Sequence, residues 1–250
     1  MHAEPSICVE GVRKRFGRED LLRAIDLDIP AGSRFGIIGP AACGKSVLLK
    51  LLVGLLRADG GRVVVAGVDV TQRSEKELME VRSRIGMLFQ NYALFDFLSV
   101  ADNVAFPLQR RGGIEPDEIK RRVLDRLKRV GLSGSEDMMP AELSGGMKKR
   151  VGIARATVAL PDIVIYDEPT AGLDPVTTSK IYDLIREDQQ ETGCTVVAVS
   201  SDVEALIGFV DTIAMVYQGE IHYQGPASEI ADADDPVVRQ FVSGSLEGPL

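Results

Sequence analysis

Residues Gly39, Pro40, Ala41, Ala42, Cys43, Gly44, Lys45 and Ser46 have the G-x-x-x-x-G-K-[ST] spacing of a loop that wraps nucleotide phosphates. Its glycines let successive backbone N–H groups turn inward on an anion with no side chain in the way. A helix opening at the end of the loop, Val47 included, adds the positive end of its dipole. In that arrangement Lys45 reaches the β- and γ-phosphates and the Ser46 hydroxyl ligates Mg²⁺. A second group of chemically apt residues lies far along the chain, where Asp167 and Glu168 close the apolar run 163–166. Acids at the C-terminal end of a strand are where an open α/β sheet places its chemistry. Asp167 there holds the Mg²⁺ that bridges the phosphates, and Glu168 polarises an attacking water. Either feature alone reads as an ordinary glycine turn or as two solvated acids; together they describe hydrolysis of a nucleoside triphosphate.

The intervening sequence supplies elements to position these residues. An apolar stretch at 33–38 has strand length and feeds the loop, and 47–53 has the length and composition of a helix. Upstream, 7–16 and 21–29 read as strands, the second alternating at Ile25, Leu27 and Ile29, and 62–66 is a β-branched strand that continues past a kink to Val70. A helix over 75–84 precedes the strand 85–89, which ends at Gln90. Helical patterns from Ser99 to about Pro107, and over 116–130 with Pro116 at the first turn, make 91–145 a mostly helical insert. Its basic run Lys120-Arg121-Arg122, flanked by Glu118 and Asp125, reads as a solvated helix face. Beyond Ser144-Gly145-Gly146 come a helix over 148–160, the strand 163–166, and then helix 176–192, strand 195–200, helix 202–209, strands 211–217 and 220–224, and a short helix in the tail. Such alternation predicts a largely parallel sheet with helices on both faces. The expected organisation is a single domain over 1–250, with an α/β core from 1–90 and 146–250 and the helical insert at 91–145.

Composition narrows the function. The 250 residues are 45% hydrophobic, enough for a substantial core, and the net charge of −8 gives no general electrostatic reason to bind nucleic acid. The longest apolar run, near 47–56, is broken by Lys50 and falls short of the roughly 20 residues that span a bilayer. Residues 1–5 lack the basic and apolar regions of a signal peptide, so a cytoplasmic location is expected. Cys8, Cys43 and Cys194 are too scattered for a zinc site and are expected to be reduced.

Taken in order, these motifs resemble the ATP-binding-cassette (ABC) ATPase family over practically the whole chain. The resemblance implies a P-loop NTPase fold with a RecA-like α/β core, an N-terminal antiparallel β region and an inserted helical subdomain, with ATP and Mg²⁺ as cofactors. Gln90 matches the family glutamine that senses Mg²⁺ and the attacking water. Leu143-Ser144-Gly145-Gly146 looks like the signature that binds the γ-phosphate held by a second subunit, and a serine hydroxyl with free glycine N–H groups at a helix start suits an anion. Ala171-Gly172-Leu173-Asp174 resembles the loop linking the two composite sites. Phe16 matches the aromatic that stacks on adenine, although a Phe at a strand end is also commonly core. One position departs: Ser201 stands where the family has a switch histidine, and His2 and His222 lie elsewhere. A serine there is shorter but can still reach a phosphate through a bridging water, so a working but slow ATPase is expected.

Within the family the chain is most similar to Mla-type ATPases, the phospholipid transporters that work with Mce proteins. Met147 in the signature, the stretch 88–108 and the tail 235–241 carry that resemblance. It implies a homodimer on the cytoplasmic face of the inner membrane, bound to an integral-membrane permease, with an Mce-type lipid-binding protein and a small accessory subunit in the same complex. The groove around 90–106, with Leu94, Phe95, Phe97 and Leu98, is expected to receive a permease helix unless these residues are core. Other readings are an ATPase subunit of another ABC importer and an ATP-gated dimerising subunit with poor hydrolysis.

Overall fold

The computed structural model describes residues 5–250; residues 1–4, on which the signal-peptide expectation and His2 fall, lie outside the described residues. Two sheets form the scaffold. In the first, β1 (Pro5–Phe16) and β2 (Glu19–Pro30) pair antiparallel. The chain then enters the second sheet as β3 (Arg34–Ile38) and passes through the glycine loop into α1 (Lys45–Leu52). It returns to the first sheet as β4 (Gly60–Val65) and β5 (Val68–Asp69), giving the antiparallel order β2-β1-β4-β5.

From there α2 (Glu75–Arg82) leads to β6 (Ile85–Leu88), and the helical insert contributes α3 (Val100–Arg111) and α4 (Pro116–Arg129). The second half runs α5 (Gly145–Thr157), β7 (Ile163–Asp167), α6 (Pro175–Thr192), β8 (Thr195–Val199), α7 (Val203–Ile207), β9 (Thr212–Tyr217), β10 (Glu220–Pro226) and α8 (Pro236–Ser243). The second sheet has the order β10-β9-β3-β8-β7-β6. Its strands are parallel except β10, which folds back antiparallel on β9 at one edge. An α/β core with an N-terminal antiparallel sheet and an inserted helical region is the arrangement that the motifs implied.

Helix starts follow side-chain chemistry. Ser74 and Glu77 form a reciprocal capping box on α2, and Ser99, Ser144, Asp174 and Asp235 accept first-turn N–H groups of α3, α5, α6 and α8. The cap at Ser144 corrects one expectation. The helix expected over 148–160 begins three residues earlier, because the Ser144 hydroxyl accepts from Met147 N at 3.3 Å and so draws Gly145 and Gly146 into the first turn. A 3-10 turn at Ala227–Asp232, which has no periodic apolar pattern, was not foreseen.

The central sheet is buried on both faces, so its strands read as continuous apolar runs. On β7 and β8, Ile163, Ile165, Val197 and Val199 pack toward α1 and the first sheet, while Val164, Tyr166, Val196 and Ala198 pack toward the helical side. Close approach of β6 to α5 depends on Gly86, where a Cβ would lie 1.9 Å from the Ala156 carbonyl oxygen. Among the described residues no helix is long and apolar enough to cross a membrane.

The insert is tied to the core by a charged pair, since Arg126 on α4 donates to Asp188 on α6 and to the Thr157 carbonyl, with both charged side chains only 9% exposed. Breaking such a pair leaves one buried charge uncompensated, at about 3–5 kcal/mol. Asp188→Ala is therefore expected to lower unfolding stability by about 3–5 kcal/mol in urea titrations. Glu191→Ala, which breaks the neighbouring exposed Arg129–Glu191 pair, is expected to cost far less.

Candidate nucleotide site

The site forms at the C-terminal ends of β3 and β7, two strands held apart by β8. After β3 the backbone turns through left-handed conformations at Ala42 (φ 61°) and Gly44 (φ 108°), which an L side chain adopts with strain and glycine without. Gly39 has a further requirement: a Cβ there would lie 2.1 Å from the Val216 carbonyl oxygen of β9. The loop therefore lies tight against the sheet. Helix α1 starts at Lys45 with no side-chain cap and no acid in its first turn, leaving its leading N–H groups for an anion. The Lys45 ammonium donates to the carbonyls of Gly39 (2.6 Å) and Pro40 (2.8 Å), so it lies directly over the loop. Ser46 and Val47 follow it on the first turn, both partly buried.

Asp167 ends β7 opposite Val199 of β8 and is 8% exposed. Its Oδ1 has no hydrogen-bond partner among the described residues. Burial and the adjacent Glu168 charge push its pKa above the ordinary carboxylate range, against the opposing pull of the Ser46 hydroxyl, Lys50 and Lys45. A buried, unpaired carboxylate oxygen beside a serine hydroxyl and the phosphate loop fits a hard divalent cation such as Mg²⁺, which takes oxygen ligands. Glu168 takes a left-handed backbone conformation (φ 56°) while its N–H donates to the Val199 carbonyl at 2.9 Å. Its Oε2 accepts two hydrogen bonds, from Ser201 N and from Ser201 Oγ, each 3.0 Å. Ser201 is thus turned onto the Glu168 carboxylate. The contact arises because β7 and β8 end side by side.

The remaining predicted residues surround this centre at different depths. Gln90 is exposed just beyond β6, and the turn after it is strained, with Tyr92 (φ 60°) and Ala93 (φ 47°) both left-handed. Arg155, buried on α5, pins that turn by donating to the Ala93 carbonyl at 2.7 Å and to the Tyr92 carbonyl at 2.5 Å. Sequence reasoning missed Arg155; its one signal was a cation inside the buried run 151–157 of α5. Ser144 contacts its own helix, and the space where a Gly145 side chain would go is open. That end of α5 therefore faces outward. Phe16 is 49% exposed, with the Lys14 ammonium 5.4 Å from its ring centroid, which removes the reading of Phe16 as core. A cavity of about 870 Å³, lined by Arg84, Arg122, Arg129, Asp162 and Glu191, lies at the opposite ends of the strands and contains none of these residues.

Comparison with known proteins places this geometry among relatives. A family model described as ABC transporter matches residues 22–171. The chain is 40% identical over 245 residues to the probable ribonucleotide transport ATP-binding protein mkl of Mycobacterium leprae, covering 98% of this chain and 71% of that protein. It is 37% identical over 226 residues to the intermembrane phospholipid transport system ATP-binding protein MlaF of Haemophilus influenzae, covering 90% and 86%. Among solved structures, the dimeric post-hydrolysis state of the ATP-binding cassette MJ0796 bound to ADP and Pi superposes with a TM-score of 0.82 at 31% identity, covering 88% of this chain and 98% of that one.

The Asp167 carboxyl gives a pH-dependent test. A raised folded-state pKa means that the native protein binds more protons than the unfolded chain between the two values, so this group's contribution to stability falls as pH rises through that interval. Asp167→Asn removes the term. The variant is expected to unfold at a higher temperature than wild type at neutral pH without Mg²⁺ or nucleotide, and the gap should close in thermal melts as pH falls and the Asp167 carboxyl of the wild type takes up its proton.

Proposed function

The chain belongs to the ABC transporter family as an ATP-binding subunit, an ATPase using ATP with Mg²⁺, and from that premise we propose that it drives phospholipid movement through a membrane permease. The observation that carries the site assignment is the unpartnered Asp167 oxygen beside Ser46 and the phosphate loop, one residue from the Glu168 carboxylate that Ser201 holds.

In this reading the backbone from Gly39 to Gly44, with Pro40, Ala41, Ala42 and Cys43, encloses the phosphates, and Val47 continues the same helix start. Lys45 exchanges its two loop carbonyls for phosphate oxygens. Ser46, Asp167 and Gln90 hold Mg²⁺, which when bound neutralises charge building on the phosphates. Glu168 accepts a hydrogen bond from a water and orients it for in-line attack. The two Ser201 donors fix the carboxylate rotamer, leaving Oε1 toward the water. Phe16 presents an open ring face to a base. Ser144, Gly145 and Gly146 point away from their own loop and complete the site of a second copy, so the working unit is a homodimer.

The cargo reading draws on the similarity to MlaF over 90% of the chain. The name of mkl, a probable ribonucleotide transport ATP-binding protein, instead favours ribonucleotide, as cargo of a different transporter on the same engine. Docking to a permease on the cytoplasmic membrane face is supported by Phe97, 77% exposed on the rim of the turn after Gln90 and backed by Phe95 at 5.9 Å. An Mce-type protein and a small accessory subunit complete the proposed complex, and 91–145 is the lobe that meets the permease.

Two experiments test these assignments. Glu168→Gln should hold Mg·ATP while slowing hydrolysis by about 10²–10⁴-fold, and sedimentation of that variant with Mg·ATP should show a dimer that adding Ser144→Arg abolishes. Wild-type turnover in Glu168→Gln removes Glu168 from the chemistry, and a monomer in both proteins removes the composite site. For cargo, the complex purified from membranes should carry glycerophospholipid by mass spectrometry, and Phe97→Asp should lose the permease without a change in unfolding temperature. A complex enriched in ribonucleotide, or one unaffected by Phe97→Asp, refutes the corresponding part.

A further inference from the structure

Lys149 lies one turn into α5 and is 1% exposed. Its ammonium donates to the Ala171 carbonyl, within the turn that leads from Glu168 to the Asp174 cap of α6, and lies 6.0 Å from the Tyr92 ring centroid. Among the described residues no carboxylate is within ion-pair distance of it. Burial lowers its pKa, and the Glu168 charge is the opposing influence. A buried cation with one carbonyl and a π face for company is a poor way to stabilise a core, where an apolar side chain of similar volume does as well or better. Its three N–H donors instead suit the joining of irregular backbone segments.

Three segments meet at this group. Helix α5 begins at Ser144, the turn 168–174 begins at Glu168, and the strained turn 90–93 begins at Gln90. Leu173 also approaches the space above Gly146, to 4.0 Å, so the turn and the first turn of α5 already touch. Arg155, two turns along the same helix, holds the carbonyls of Tyr92 and Ala93.

We propose that Lys149 is a positioning residue that locks the Ser144 end of α5 to the turn following Glu168, so that a protomer's contribution to its partner's site moves with its own hydrolytic carboxylate. The proposal rests on the roles given above to Glu168 and Ser144. A failure of those roles appears in the Glu168→Gln and Ser144→Arg proteins, whereas a failure of the lock appears only in Lys149 variants.

The test uses the ATPase purified with its membrane partners. Lys149→Met should lower kcat for ATP by about tenfold to a hundredfold while KM stays within roughly twofold. Its unfolding midpoint should be equal to or above that of wild type, and Lys149→Arg, which keeps a buried cationic donor, should recover most of the rate. Amide hydrogen exchange over 169–174 should quicken in Lys149→Met and stay unchanged in β7 and β8. Wild-type kcat in Lys149→Met overturns the proposal. So does a loss of rate that follows a lowered unfolding midpoint, failure of the variant to fold, or unaltered exchange over 169–174.

Discussion

The hydrogen bond from Glu168 N to the Val199 carbonyl, which extends the parallel pairing of β7 with β8 one residue past Asp167, sets the geometry on which the site depends. It holds Glu168 in a left-handed conformation that a non-glycine residue enters at a cost, and so turns two consecutive acids to different tasks. Asp167 remains in the sheet with a buried, unpaired oxygen, while Glu168 leaves it with its carboxylate exposed to two donors from Ser201. Two neighbouring carboxylates acquire distinct environments from a single backbone contact.

Strand order does the rest. Because β8 lies between β3 and β7, the phosphate loop after β3 and the acids after β7 face the same crevice with β8 and Ser201 between them. Helix α5 couples the helical side to this crevice, its two buried cations reaching the turns after Gln90 and after Glu168. The chain as a whole is acidic, at −8, so anion affinity is local: uncapped N–H groups of α1 and one lysine held over the loop.

The kinship with mkl and MlaF shows how engine and cargo separate in the sequence. The phosphate loop, Asp167 and Glu168 all lie at the strand ends that face the crevice. Proteins whose names specify ribonucleotide and phospholipid are thus similar to one and the same core.

Motif spacing and the period of apolar residues determined the glycine loop, the two acids that close β7, the alternation of strands and helices, and the helical character of 91–145. Those features are local: a glycine loop needs its glycines in sequence, and a doubly buried strand must be apolar at every position. The start of α5 at Gly145 required knowing that the Ser144 hydroxyl caps it, and the exposure of Phe16 required knowing that the end of β1 lies outside the core. Ser201 read as a shortened phosphate donor because the sequence shows only its offset from β8. That its two donors meet Glu168, 33 residues away, follows from strands ending side by side, a relation that no spacing along the chain contains. For the same reason the carbonyls that the buried Lys149 and Arg155 hold follow from three-dimensional neighbours and not from position in the sequence.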